Sequence, residues 1–190
     1  MITLLGEQVM AKGINLANPI LTESQRRAFS AKPNNVCVFL SHISIDKDAA
    51  IKIGEYIMST GIDIYLDIYD RDLETAMQIG DPSAITSSIE KGIANSTHIM
   101  CIVSPRTVNS WWVPYEIGFG KKSNKKLSTL LLRSTPIPQF LEVTRVLKGI
   151  DDLEWYIKEQ GGSSQFLLEG HRVLTGTNSK YSHPLFQYLD

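Results

Sequence analysis

The run His98-Ile-Met-Cys-Ile-Val-Ser104 decides how the chain folds. A strand with one wet face alternates apolar and polar residues, whereas this one stays apolar from Ile99 to Val103, as a strand covered on both faces does in a parallel sheet. Upstream, VCVFLSH (36–42) is a second short run rich in β-formers. Asp46 to Thr60 then reads as a helix, with Ala49, Ile53, Tyr56 and Ile57 at helical spacing and Gly61 where a C-terminal cap belongs. DIYLD (63–67) is a further strand, and IYDRDLETAMQIG (68–80) reads as a long polar connection without a clear period. A helix starts at DPSAITSSIEKGIANS (81–96), with Asp81 as N-cap and Pro82 in its first position. Downstream come a helix around Trp111 to Gly120, a fourth strand at STLLLR (128–133) and a helical pattern from Leu153 to Glu159. The signal weakens after Pro136 and Pro138, and no internal repeat is present.

Strands alternating with helices at this spacing imply an α/β fold, an open, mostly parallel sheet with right-handed crossovers and helices on both faces. Ligands of such sheets bind beyond the carboxyl ends of the strands, near the switch in strand order. Those ends carry Ser41 and His42, Asp67 and Ser104, and Glu116 lies about one helical turn into the segment after the third strand. Ser104 precedes Pro105 and reads as a turn residue, since no His or Lys sits at a spacing that would activate it. Asp67 is open between bracing the connection that follows it and touching a ligand. His42 reads at least as well as a strand-end group bonded to a loop as it does as a general base.

The chain of 190 residues suits one domain with embellished ends: an N-terminal extension over 1–34, the domain over 35–160 and a Gly- and Ser-rich tail over 161–190. A formal net charge of −1 offers no basic face for nucleic acid. The one dense basic run, KKSNKK (121–126), is explained by a solvated helix end. No apolar stretch approaches the roughly 18 residues of a membrane span, and the first residues do not read as a secretory signal. Cys37 and Cys101 lie inside apolar runs, as buried reduced thiols of a cytoplasmic protein do. His42, His98, His171 and His183 show no metal-ligand spacing, so no metal is expected.

The stretch SPRTVNSWWVPYE (104–116) sets a carboxylate behind two tryptophans and a proline at the start of a helix. Residues four apart share a helix face, so Trp112 and Glu116 can form one wall of a pocket while Trp111 serves as packing. Pro114 falls early in the helix, where a missing N–H costs little.

FLSHISIDKD, YLDIYD, IGDPSAITSSIEKGIANS and IVSPRTVNSWWVPYE together resemble a bacterial TIR (Toll/interleukin-1 receptor-like) domain, in order and spacing, over residues 35 to 133. The resemblance implies a flavodoxin-like sheet and, as in many bacterial and plant members, cleavage of NAD⁺ at the nicotinamide–ribose bond. NAD⁺ is then a substrate, and no separate cofactor is implied. The family's catalytic glutamate falls on Glu116. Contacts from the loop after the first strand fall on His42, Ile43 and Ser44, with Ile43 offering its backbone. Contacts from the family's BB loop fall on Gln78 and Gly80, in a loop that reads as unusually long here.

The stand-alone members that defend bacteria against phage (the Thoeris type) suggest a diffusible ADP-ribose-type signal, cyclic or linear, for a separate effector, made by an oligomer that self-associates through the BB loop. Two other functions fit the same fold. One is a non-catalytic TIR interaction module, which commonly lacks the glutamate. The other is a nucleoside deoxyribosyltransferase, which has a glutamate nucleophile but neither the BB-type loop nor the W-x-x-x-E stretch.

Overall fold

A computed structural model describes residues 12–18, 20–21, 35–162 and 183–190. Five strands, β1 (Cys37–Ser41), β2 (Asp63–Tyr65), β3 (His98–Val103), β4 (Lys126–Leu131) and β5 (Arg145–Leu147), form a wholly parallel sheet in the order β2-β1-β3-β4-β5. Five helices connect or flank them: α1 (Lys47–Ser59), α2 (Arg71–Ile79), α3 (Pro82–Ala94), α4 (Trp112–Lys122) and α5 (Ile150–Glu159). This strand order is the flavodoxin-like one expected from the sequence, and its direction reverses between β1 and β3.

The apolar run that reads as doubly covered is so. Met100 and Ile102 join Ile53 and Ile57 of α1 and Leu153 and Ile157 of α5 on one face. Ile99, Cys101 and Val103 join Ile89 and Ile93 of α3 and Val113 and Ile117 of α4 on the other. Alternate side chains of a strand point to opposite faces, so a strand with two covered faces is apolar along most of its length. Each such Ile or Leu contributes about 1.5–3 kcal/mol on full burial, which makes β3 the spine of the fold. Gly92 lets α3 lie close to the sheet, because a Cβ there would stand 2.6 Å from Tyr65 Cε1 and 2.9 Å from Phe39 Cε2.

The structure corrects the sequence reading in two places. IYDRDLETAMQIG is no loop: it holds α2, whose N-cap Asp70 accepts from the N–H groups of Asp72 and Leu73 and whose C-cap Gly80 is left-handed at φ 66°. Leu73 and Ala76 bury one stripe of this helix while its other positions stay exposed, the apolar Met77 and Ile79 among them. A fifth strand, β5, lies where the pattern had weakened; at three residues it is too short to show a period. The described parts of the two ends also belong to the body. Asn15 bridges Ile64 in parallel at the β2 edge, and its Oδ1 accepts from the Leu66 N–H at 3.0 Å. At the other end Leu185 and Leu189 are fully buried, and the Ile150 N–H that opens α5 donates to the Asp190 carbonyl at 3.0 Å. His171, with most of the Gly- and Ser-rich tail, lies outside the described residues.

Both cysteines are buried and unpaired, as read from the sequence. Burial pushes the Cys37 thiol up to about 12 and raises that of Cys101 as well, which leaves neither a nucleophile. Among the described residues no helix is long and apolar enough to cross a membrane.

Candidate active site

β1 is central and fully buried, and it delivers Ser41 and His42 to the carboxyl edge of the sheet beside the β1/β3 switch. On the far side of the switch, β3 ends at Ser104, a turn residue as expected: its N–H donates to Thr107 Oγ1 at 3.0 Å and its Oγ accepts from the Arg106 N–H at 3.3 Å. α4 then begins at Trp112, with the Ser110 hydroxyl accepting from the Val113 N–H, and carries Glu116 back toward β1. The Ser41 hydroxyl donates a short hydrogen bond to Glu116 Oε2, joining residues 75 apart in sequence.

Glu116 is only 4 % exposed. Burial, which disfavours its charged form, is the main cause that lifts its carboxyl to about 8; the Ser41 hydrogen bond opposes the rise and the Asp67 charge adds to it. Asp67 opens a short 3₁₀ turn after β2, and burial raises its carboxyl too, against the pull of His42. The His42 imidazole is 4 % exposed; its Nδ1 lies 3.2 Å from the Leu40 carbonyl and 3.7 Å from Asp67 Oδ1.

These groups border a cleft of about 450 Å³, in the range that accepts small ligands. Of the residues expected at the site, the wall contains Glu116, Trp112, His42, Ser44, Asp67 and Gln78. Three others sit elsewhere. Ser41 is behind Glu116 and acts on it rather than on the cleft. Ile43 packs against the core of the α3–α4 face, and its carbonyl accepts from the Asp46 N–H. Gly80 caps α2, and nothing lies within 4 Å of where its Cβ would be.

Trp111 is not packing: it is 90 % exposed, and Val113 takes the buried place at the start of α4. Trp112 is 37 % exposed and stands edge-on to Tyr115, with ring centroids 6.2 Å apart.

The sequence reading missed Leu73, Glu74 and Met77 of α2 and Ile85 and Ile89 of α3, which complete much of the wall. It also missed Lys47, the first residue of α1 and, among the described residues, the one lysine or arginine in that wall. The signal for the α2 residues was present in Asp70 and Gly80, ten apart, framing Leu73 and Met77 at i and i+4.

Residues 38–161, more than half of the chain, match the TIR domain family. The chain belongs to the TIR domain family. Two relatives add detail. The NAD(+) hydrolase TirS of Staphylococcus aureus (strain MSSA476) is 34% identical over 80 residues, 42% of this chain and 26% of the relative. The 2′ cyclic ADP-D-ribose synthase BtTIR of Bacteroides thetaiotaomicron is 29% identical over 80 residues, 42% and 25% of the two chains. The matched segment thus spans about a quarter of each relative. Among solved structures, the TIR domain of the Toll-related receptor TRR-2 of Hydra magnipapillata is 16% identical with a TM-score of 0.47, covering 71% of this chain and 97% of that one.

Proposed function

We propose that this TIR protein cleaves NAD⁺ at the nicotinamide–ribose bond, with Glu116 as its catalytic carboxylate. The observation that carries the reading is the placement of Glu116: buried, bonded to Ser41, and facing a cleft whose wall includes Trp112 one helical turn away. Nicotinamide leaves NAD⁺ as a neutral molecule, so its departure needs no acid. The ribose develops oxocarbenium character, as in glycoside hydrolysis. A preorganised carboxylate against that charge supplies on the order of 3 to 4 kcal/mol. The cation in the substrate also favours the ionised form of a carboxyl that burial otherwise keeps protonated. Trp112 offers its ring as a stacking surface, and Lys47, at the N-terminus of α1, offers a positive charge to the diphosphate.

Self-association across the cleft mouth belongs to the same reading. Ile45, Trp111 and Ile79 are 60 %, 90 % and 70 % exposed, and each adjoins a wall residue, Ser44, Trp112 or Gln78. Exposed apolar groups around a site are the usual mark of a contact surface. In this family setting the α2 segment occupies the place of the BB loop. Formation of a cyclic product, its reading by a separate effector and a part in defence against phage rest on the resemblance to stand-alone bacterial members alone.

The test is incubation of concentrated protein with NAD⁺, with nicotinamide and products followed by chromatography and mass spectrometry. Wild type releases nicotinamide and Glu116→Gln does not. Equal release by both proteins would refute the role of Glu116; release by neither, across a range of protein concentrations, would favour an interaction module.

A further inference from the structure

His42 lines the cleft without a role in the reading above, and its surroundings go beyond those of a strand-end polar residue. The Leu40 carbonyl can only accept, so a hydrogen bond from Nδ1 at 3.2 Å puts the ring proton on Nδ1. Asp67 Oδ1 lies 3.7 Å from the same nitrogen and, among the described residues, has no hydrogen-bond partner. With Nδ1 committed to the protein, Nε2 is the nitrogen left for a ligand, and in that tautomer it is an unprotonated acceptor. His42 lines the cleft together with Glu116 and Asp67. A carboxylate behind a histidine whose other nitrogen faces the ligand is the arrangement by which proteins build a base: it fixes the tautomer and stabilises the imidazolium that forms.

We propose that His42, backed by Asp67, is the general base that removes the proton from the hydroxyl capturing the ribosyl cation. This rests on the NAD⁺-cleaving reading above and assigns the second half of that reaction. In the first half the C1′–N bond breaks and nicotinamide leaves with the bonding pair, so the cation forms opposite Glu116 without any proton transfer. In the second half a lone pair of the incoming oxygen forms the new C1′–O bond. The O–H proton passes to His42 Nε2, its electron pair stays on oxygen, and the imidazolium faces the Asp67 carboxylate before the proton is lost to solvent. The oxygen is that of water or of a hydroxyl on the substrate itself, and the base is needed in either case. Glu116 is placed for the first half instead, with one oxygen held by Ser41.

A nucleophile without a proton separates the halves. A pyridine such as 3-acetylpyridine captures the same cation through its ring nitrogen, forming a C–N bond and releasing nothing, so base exchange needs Glu116 and no base. His42→Asn is the informative variant, because its side-chain N–H can still donate to the Leu40 carbonyl while Nε2 is gone; a thermal unfolding curve confirms that it folds. With NAD⁺ and 3-acetylpyridine present, the ratio of base-exchange product to ADP-ribose-type product rises about a hundredfold in His42→Asn, the size of one general base. Asp67→Asn moves the ratio in the same direction by a smaller factor. If exchange and capture by oxygen fall together, His42 is a binding or structural residue; if the ratio stays at the wild-type value, Glu116 or solvent takes the proton. Either result overturns the proposal. Failure of the underlying reading looks different, since wild type would then release no nicotinamide with or without the pyridine.

Discussion

Two glutamates of this protein are buried almost equally, Glu116 of α4 at 4 % exposure and Glu154 of α5 at 5 %. Each accepts from a hydroxyl of another element, Glu116 from Ser41 and Glu154 from Tyr56 at 2.9 Å. They differ in what lies beyond. Glu154 faces His183, whose Nε2 is 3.6 Å away and whose Nδ1 accepts from the Leu185 N–H at 3.1 Å, so the imidazole proton points at the carboxylate. Tyr56 closes the cluster, edge-on to that imidazole with ring centroids 4.9 Å apart. This polar knot ties residues 183–190 to α1 and α5. Glu116 faces the cleft instead, and the Asp67 charge beside it repels rather than pairs. Burial alone therefore does not separate a carboxylate that ties elements together from one proposed to act on a ligand; an open side with a like charge marks the second.

The contrast is broken most directly by exchanging the consequences. Glu116→Gln lowers the rate of nicotinamide release by about 10²- to 10³-fold, the value of one preorganised electrostatic group, and leaves the fold intact. Glu154→Ala does the reverse. It leaves Tyr56 Oη without its acceptor, takes away the carboxylate that faces His183 and lowers stability by about 1–3 kcal/mol, read by urea unfolding, with activity per folded molecule kept. Loss of activity without loss of stability in Glu154→Ala would erase the distinction.

The pH dependence sharpens it. The Glu116 carboxyl is raised from 4.5 to about 8 in the folded protein. Between those values the unfolded chain has released a proton that the folded one still holds, so stability falls as pH rises through that window and levels above it. Asp67, also raised by burial, contributes a slope of the same sign. Glu116→Gln is accordingly more stable than wild type at pH 8, by an amount that shrinks toward pH 4.5. Catalysis runs the other way: kcat/KM, which reports the free enzyme, increases with pH until about 8, because the carboxylate is the active form. A flat stability difference between the two proteins over this range would mean that Glu116 titrates normally.

Ser41 links the two effects on a smaller scale. Its hydrogen bond holds the Glu116 carboxyl below where burial alone would put it. Ser41→Ala therefore shifts the rising limb of kcat/KM to higher pH and lowers the rate at pH 7 by about tenfold, the worth of one hydrogen bond to a charged group. A rate loss with an unmoved pH profile would make Ser41 a packing residue.

Much of this was legible in the linear sequence, and the rest was lost for identifiable reasons. The unbroken apolar run of β3 announced a sheet covered on both faces, and Asp81-Pro82 marked the start of α3 to the residue. α2 was hidden because four charged residues among Asp70 to Glu74 and Lys-free surroundings read as a solvated loop, although its caps were in view. β5 is too short for periodicity, and the buried Leu185 and Leu189 act as core only once the fold brings them to α5. At the site, Trp112 and Glu116 follow from helical spacing, which is local. The Ser41–Glu116 bond and the His42–Asp67 approach span 75 and 25 residues and need the strand order. Trp111 shows the limit of composition: an aromatic beside a helix start can face either way, and here it faces out.

The smallest effect concerns Lys47, which spacing did not single out. It begins α1, where the helix dipole already favours an anion, and among the described residues it carries the only lysine or arginine charge in a wall that also contains Glu74, Asp67 and Glu116. A dinucleotide brings two phosphates into that setting, so the charge of Lys47 acts on binding rather than on the bond that breaks. Lys47→Ala raises KM for NAD⁺ about fivefold to tenfold and leaves kcat nearly unchanged, since an exposed charge-assisted contact is worth about 1 kcal/mol. Nicotinamide riboside carries the same scissile bond without any phosphate, so its cleavage is insensitive to the substitution. If Lys47→Ala weakens both substrates alike, the lysine shapes the cleft instead of holding the diphosphate, and the phosphates lie against another part of the wall.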